Sequence, residues 1–195
     1  MKKRIAFSLA LVVASLGAGC DTSFEQLTGA ISPVPEDGIV KGEEMSYYLV
    51  FPQGWFERNF NTDPEWDREF IQPDKGAEVL VLAHREPEGT AYSINAFMRY
   101  MTDEADKIYD EFRVLERSNL SAKESIGRLW HATGKIEGEP WHIYCAFYVR
   151  YNLAFAILAG APSATFPEVK SELEQIINSF ELQTLRSQIA EPYPG

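Results

Sequence analysis

The chain has 195 residues, 45% of them hydrophobic, and a formal net charge of −11 at pH 7. A chain of this size fits one domain with a proper apolar core, and the acidic balance excludes nucleic acid as a partner, because neutralising phosphate needs a basic face. Only two cysteines are present, Cys20 and Cys145, so a disulfide framework is not expected.

The first twenty residues predict export from the cytoplasm. A basic start at residues 2–4 is followed by an uncharged run at 5–16 and by three small residues at 17–19, which is the layout of a secretory signal peptide. The uncharged run is too short for a membrane span, which needs roughly 20 residues to cross ~30 Å of hydrocarbon. We therefore predict a signal peptide over residues 1–19.

Cys20 resembles the acylated cysteine of a bacterial lipobox. It follows the small residues directly, although Gly17 occupies the usual leucine position and Leu16 lies one position earlier. The resemblance implies a diacylglycerol on the Cys20 thiol and attachment to the periplasmic side of a bacterial membrane. Asp21 resembles the inner-membrane retention signal of enteric bacteria and so favours that membrane. The alternative is an ordinary secreted protein cut after Gly19.

Composition divides the rest of the chain into a tether, a domain and a tail. Residues 21–40 contain two prolines and no hydrophobic periodicity, so residues 20–42 are interpreted as a lipidated cysteine and flexible tether. Residues 43–185 form one globular domain. Residues 186–195, with two prolines and a glycine, form a flexible tail.

Hydrophobic periodicity predicts the first elements of this domain. Residues 45–52 alternate as a strand, with Tyr47, Leu49 and Phe51 on one face and a turn at residues 52–54. Residues 77–84 are apolar on both faces, which is typical of a central strand. Apolar residues at helical spacing predict a helix over 93–109, and a strand follows at 112–116.

The stretch 126–159 predicts three strands in a meander. A four-residue loop at 137–140 would place Ile136 opposite Trp141, and a two-residue turn at 151–152 would place Phe147 opposite Ala156. In this register His131 and His142 lie about 13 Å apart, at ~3.3 Å per residue, which is too far for one metal ion. They are therefore interpreted as solvated or hydrogen-bonded strand histidines.

The last strand of the meander predicts how the layers are arranged. Residues 153–159 are apolar on both faces, so both faces must be covered. A final helix follows, with Thr165 and Glu168 fitting a capping box. Its apolar stripe comprises Val169, Leu173, Ile176, Ile177 and Phe180. We therefore expect an α+β fold, with an antiparallel sheet of about six to seven strands and helices packed on both faces.

Two segments resemble PsbP-like domains. They are the entry FPQGW at residues 51–55 and the end IINSFEL at 176–182, and the resemblance covers about residues 43–182. The layout is also similar to that of the DcrB-like envelope lipoproteins. The resemblance implies a PsbP-like three-layer α/β/α sandwich, in which Trp55 and Phe180 are core residues, and it implies no catalytic residue. Members of this fold class include photosystem accessory subunits, a Ran-binding protein and chaperones of secreted effectors, all of which bind other proteins.

The sequence lacks the common motifs of catalysis and cofactor binding. The sequence contains no glycine-rich phosphate loop, no H-E-x-x-H and no G-x-S-x-G. The acidic cluster at 102–106 lacks the spacing of a calcium loop, and Cys145 lies in an apolar run where a buried thiol is inert. We therefore predict no catalytic residue, no metal site and no cofactor.

One segment has the composition of a protein-binding surface. Residues 54–70 interleave aromatic and arginine side chains, the types that dominate interface hot spots. The candidate partner-binding residues are Trp55, Phe56, Arg58, Phe60, Trp66 and Arg68. Alternatively, these aromatics cover the open edge of the sheet. The expected function is a lipid-anchored, non-catalytic factor that binds an envelope protein; the alternatives are a carrier of a small apolar ligand and an enzyme with an unrecognised site on a loop.

Overall fold

The computed structural model describes residues 31–42, 47–58, 67–87, 91, 93–120 and 125–182. Within these ranges the chain forms eleven strands, two α-helices and one 3₁₀ helix. The strands are β1 (Ile31–Pro33), β2 (Ile39–Lys41), β3 (Tyr47–Val50), β4 (Phe56–Arg58), β5 (Arg68–Gln72), β6 (Ala77–Arg85), β7 (Asp110–Leu120), β8 (Ile126–Ile136), β9 (Glu139–Arg150), β10 (Leu153–Pro162) and β11 (Glu181–Leu182). The helices are α1 (Ile94–Ile108), α2 (Phe166–Asn178) and the 3₁₀ helix Pro73–Lys75.

The main sheet has eight antiparallel strands in the order β1-β4-β5-β6-β10-β9-β8-β7. The sequence predicted about six to seven strands. The count was low because β1, β4 and β5 are too short to show a clear alternation of apolar and polar residues. The predicted central strand is confirmed: β6 pairs with β5 on one side and with β10 on the other. Among the described residues, no helix combines the length and the hydrophobicity needed to cross a bilayer.

Helices cover both faces of the main sheet, as the apolar character of β10 predicted. On one face, Ala154, Ala156 and Leu158 pack in the same cluster as Phe97 and Met101 of α1. We call this the α1 face. On the opposite face, the alternate residues Phe155, Ile157 and Ala159 of β10 pack with the apolar stripe of α2. We call this the α2 face. The α2 stripe is buried as predicted.

A second, three-stranded sheet in the order β11-β3-β2 lies on the α2 face. Tyr47, Leu49 and Phe51 are buried there, as the alternation of β3 predicted. The interpretation of residues 20–42 as tether is wrong from residue 31 onward, because β1 pairs with β4 and β2 pairs with β3. Three-residue strands carry too little periodicity to be recognised, although Val40 is 96% buried in the core.

The register of the β8–β9 hairpin differs from the predicted one by two residues. The turn is the pair Glu137-Gly138, both with positive φ (52° and 88°), so that Ile136 pairs with Glu139 and Gly134 with Trp141. A shift of two keeps every side chain on its predicted face, because faces alternate with period two. The β9–β10 pairing is as predicted, with Phe147 opposite Ala156.

Helix α2 begins where predicted but without the predicted capping box. Thr165 is the N-cap residue, yet its side chain makes no capping hydrogen bond. Its hydroxyl instead donates to the Lys75 carbonyl oxygen at 2.6 Å, and the Glu168 carboxylate pairs with the Lys75 ammonium group. These two contacts join the start of α2 to the 3₁₀ helix. Ser93 does cap α1, accepting from the Ala96 N–H.

Candidate functional site

Trp55 lies in the core and therefore does not belong to the candidate partner-binding surface. Its side chain is 1% exposed and packs against Phe51 with ring centroids 5.7 Å apart. The indole N–H donates to the Glu172 carboxylate at 3.0 Å, and the Gln72 amide donates to the same oxygen at 3.1 Å. The core role implied by the PsbP-like resemblance is therefore confirmed for Trp55, and Phe180 is buried as well.

The structure separates the other described candidates onto two faces of the sheet. Phe56 and Arg58 of β4 lie on the α1 face. Phe56 pairs with Ile71, and Ile71 pairs with Glu78. Glu78 is two residues from Leu80, which belongs to the α1-face cluster. Arg68 lies on the α2 face, opposite Val81 and paired with Glu57. These side chains therefore do not form one continuous surface. Phe60, Trp66 and Cys20, the predicted lipidation residue, lie outside the described residues.

Arg58 bridges two buried carboxylates. Its two terminal nitrogens lie 3.0 Å from a Glu69 oxygen and 2.8 Å from a Glu78 oxygen. Glu69 and Glu78 are 1% and 4% exposed, and we call the three residues the Arg58 cluster. The sequence signal for it was weak: one glutamate in the mixed strand β5, one in the mostly apolar strand β6, and an arginine on the neighbouring strand β4.

The Arg58 cluster holds one cation and two carboxyl groups. Burial raises the pKa of Glu78 to about 7, against the opposing effect of Arg58, so Glu78 exchanges its proton near neutrality. Tyr109 is also fully buried, and burial, followed by the proximity of Cys145 and Glu78, raises its pKa. Arg58 therefore compensates the buried carboxyl groups within the cluster. Glu78 is also close enough to Tyr109, the residue after α1, to affect its pKa.

His131 and His142 form a pair that the sequence interpretation missed. The Nε2 atom of His131 and the Nδ1 atom of His142 are 3.0 Å apart, so the separation of about 13 Å expected from the sequence is wrong. The observed register puts His131 opposite Tyr144, which is two residues from His142. Diagonal neighbours of this kind lie within reach of long side chains.

Aromatic side chains surround the imidazole pair on the α2 face. Phe166, the first residue of α2, stacks on both rings, with centroids 4.6 Å from His142 and 5.7 Å from His131. Tyr144 contacts His131 and donates its hydroxyl to Glu174 at 2.7 Å. Burial, then His142 and Lys170, lower the pKa of His131. The described residues contain no group of three or more His, Cys, Asp or Glu side chains placed to hold a metal ion.

Cys145 is a free, buried thiol, as predicted. It faces the α1 side between Trp130 of β8 and Leu158 of β10. Burial raises its pKa to about 12, so the thiolate is scarce at neutral pH and the residue is a poor nucleophile.

Comparisons with known proteins support the fold. No family model matches the chain, and no curated protein matches it. Solved structures do: cyanobacterial PsbP from Synechocystis is similar with a TM-score of 0.54 and 13% identity, over 87% of this chain and 99% of that one. LpqN of Mycobacterium tuberculosis, described as involved in cell envelope biogenesis, is similar with a TM-score of 0.57 and 10% identity, over 79% and 91%. A mutant of the protein Mog1 is similar with a TM-score of 0.50 and 11% identity, over 74% and 94%.

Proposed function

We propose that the chain is a non-catalytic accessory factor of the bacterial cell envelope, anchored by a lipid on Cys20, and that it acts by binding a protein partner. The proposal is carried by the combination of a sequence that predicts an export leader over residues 1–19, directly before Cys20, with a PsbP-like fold. LpqN has a similar fold and is described as involved in cell envelope biogenesis, which supports a role in the same compartment.

The polar groups of the described core support a binding role over a catalytic one. Arg58 is engaged by Glu69 and Glu78, and Glu172 accepts hydrogen bonds from Trp55 and Gln72. Groups that hold one another in the core are committed to structure, whereas catalytic groups need access to a substrate.

The packing of the α2 face supports a binding factor over a carrier of a small apolar ligand. A carrier needs space between the sheet and the helix. Here aromatic rings occupy that layer: Phe180 stacks on Tyr148 with centroids 4.2 Å apart and also contacts Tyr47 and Phe155. The interior between β10 and α2 is therefore filled by the chain's own side chains.

Phe56, Phe60 and Trp66 remain the aromatic candidates for the partner contact. Phe56 is half-buried at the start of β4. We assign the partner contact to these aromatic side chains, while Arg58 and Arg68 hold β4 and β5 together through their ion pairs.

Two measurements test the proposal. Envelopes from cells that express the chain are fractionated and the mature protein is analysed by mass spectrometry; we expect an acylated Cys20 in the membrane fraction. Cys20→Ser should release the domain or accumulate the uncleaved precursor, whereas Cys145→Ala, the matched control, should leave the protein in the membrane. Unmodified Cys20 in the mature protein would contradict the anchor.

The binding role is tested by crosslinking in intact envelopes followed by capture of the chain. A specific crosslinked protein that is lost on replacement of Trp66 supports the role. Turnover of a substrate by the purified chain, abolished by one substitution that leaves the fold intact, would overturn it.

A further inference from the structure

The imidazole pair joins two strands to the start of a helix. His131 lies on β8 and His142 on β9, and Phe166 of α2 stacks on both rings with interplanar angles of 12° and 20°. The ring centroids of the pair are 5.2 Å apart, although the facing nitrogens are only 3.0 Å apart. For two rings whose facing nitrogens are 3.0 Å apart, a centroid separation of 5.2 Å is close to the largest possible. The two nitrogens therefore point at each other. This is the arrangement of an N–H···N hydrogen bond, in which one nitrogen donates and the other accepts.

The number of protons on the pair decides whether that hydrogen bond exists. A neutral pair has one N–H and one lone pair between the rings, and so does a pair that carries one additional proton on an outer nitrogen. When both rings are protonated, both facing nitrogens carry hydrogen, so that no acceptor remains and two positive charges lie 3.0 Å apart. The closed pair therefore accommodates one positive charge and opposes a second.

Charged groups on the neighbouring elements do not remove this opposition. Glu116 of β7 and Glu174 of α2 favour protonation of His131, but burial, His142 and Lys170 outweigh them and the pKa of His131 is lowered. The register also brings Arg113 of β7 to the same row of side chains as His142, through Thr133. Lys135, two residues further along β8, is paired with Glu111. Glu174 is itself engaged by the Tyr144 hydroxyl.

We infer that the imidazole pair is a pH-sensitive contact that holds the first turn of α2 against strands β8 and β9 and releases it when both rings are protonated. Release separates the rings and breaks their stacking on Phe166. The contacts of Lys75 with Thr165 and Glu168 and the burial of Val169 then remain as attachments of the helix start. The device is independent of how the chain is anchored and of what it binds.

The sign and size of the effect follow from the two pKa values. In the closed pair the pKa of His131 lies below its ordinary value of 6.5, and release returns it towards that value. The closed state is therefore fully favoured above pH 6.5 and loses stability as pH falls below it. Since release takes up one proton, its equilibrium constant rises about tenfold per pH unit in that window.

Two measurements on the purified chain test the inference. NMR titration of His131 and His142 should show one ring of the pair protonating well below the ordinary imidazole pKa of about 6.5. Hydrogen exchange of the first turn of α2, corrected for intrinsic rates, should show protection that falls about tenfold per pH unit below 6.5.

Matched variants separate the pair from other acid effects. His131→Gln and His142→Gln each remove the doubly charged state, so both should abolish the pH dependence of protection at the start of α2. His84→Gln should leave it unchanged. The inference is overturned if both rings of the wild-type pair titrate independently near the ordinary imidazole pKa of about 6.5, or if His142→Gln keeps the wild-type slope.

Discussion

Gly134 of β8 lies directly beneath the side chain of Tyr109, the residue that follows α1. A Cβ atom placed on Gly134 would be 2.7 Å from the Tyr109 Cβ, closer than real side chains approach. Tyr109 is buried in the α1-face cluster. The missing side chain on β8 therefore lets the end of α1 pack onto the sheet.

Gly134→Ala should lower the free energy of unfolding by about 1–3 kcal/mol, as expected when a methyl group is forced into a filled space. Denaturant unfolding measures the loss. Tyr109→Gly in the same chain removes the clashing Cβ, so the double variant should lose less than the sum of the two single losses. Gly138→Ala is the control for backbone strain alone, because its φ is 88° and nothing lies within 4 Å of the added carbon; additive losses for Gly134 and Tyr109 would rule out the direct contact.

Glu78 should make the fold less stable as pH rises towards neutrality. Its pKa is about 7 in the folded chain and 4.5 without burial, so the folded state holds the proton more tightly than the unfolded state does. Its contribution to stability is complete below pH 4.5 and is lost by the time pH exceeds 7, with a total of at most about 3 kcal/mol.

Glu78→Gln should abolish that pH dependence and should be at least as stable as the wild type at pH 8. The amide has no charge to desolvate, and Arg58 keeps its contact with Glu69. Glu69→Gln, the matched control, should retain most of the slope because burial is the largest cause of the Glu78 shift. Unfolding free energies measured from pH 4 to 8 decide the matter, and identical slopes in the wild type and Glu78→Gln would contradict the assignment.

Cys145 should react with thiol reagents only when the chain unfolds. It is buried, and its pKa of about 12 leaves little thiolate at pH 8. In a Cys20→Ser background, labelling should therefore follow the global opening rate, and Cys145→Ala should cost about 1 kcal/mol or somewhat more. Rapid labelling of the native chain would show that the residue does not face the core.

Strand faces were predictable from the sequence, and strand register was not. Faces depend on strict alternation along a strand, and β10, which is apolar on both sides, takes its faces from its correctly predicted pairing with β9. Register depends on the turn, and Glu137 was not recognised as a left-handed turn residue because that conformation is uncommon outside glycine and asparagine. The resulting error of two residues left the core correct but separated His131 from His142.

The candidate surface was less predictable than the core. Composition marked residues 54–70 as rich in aromatic and arginine side chains, but composition does not distinguish a hot spot from a buried ion pair. Arg58 is bound by two glutamates that are distant in sequence, Glu69 and Glu78, and only the strand pairing brings them together. Thr165 shows the same limit: its hydroxyl binds the Lys75 carbonyl and not its own helix.

Trp55 is buried in the core, whereas Trp66 remains a candidate for partner binding. Trp55→Ala should cost about 3–5 kcal/mol, the usual loss for a buried large aromatic residue, because it empties the site beside Phe51 and removes a donor from Glu172. Trp55→Phe should cost less, since it keeps most of the apolar contact. Denaturant unfolding of both variants measures these losses.

Trp66→Ala and Phe60→Ala should instead leave the free energy of unfolding within about 0.5 kcal/mol of the wild type and abolish the crosslink to the envelope partner. This expectation comes from the sequence, since both residues lie outside the described ranges. The two outcomes separate binding from packing, because a surface contact affects the crosslink alone whereas a core residue affects stability first. If Trp66→Ala destabilises the chain as much as Trp55→Ala does, Trp66 is part of the core and is excluded as a partner contact.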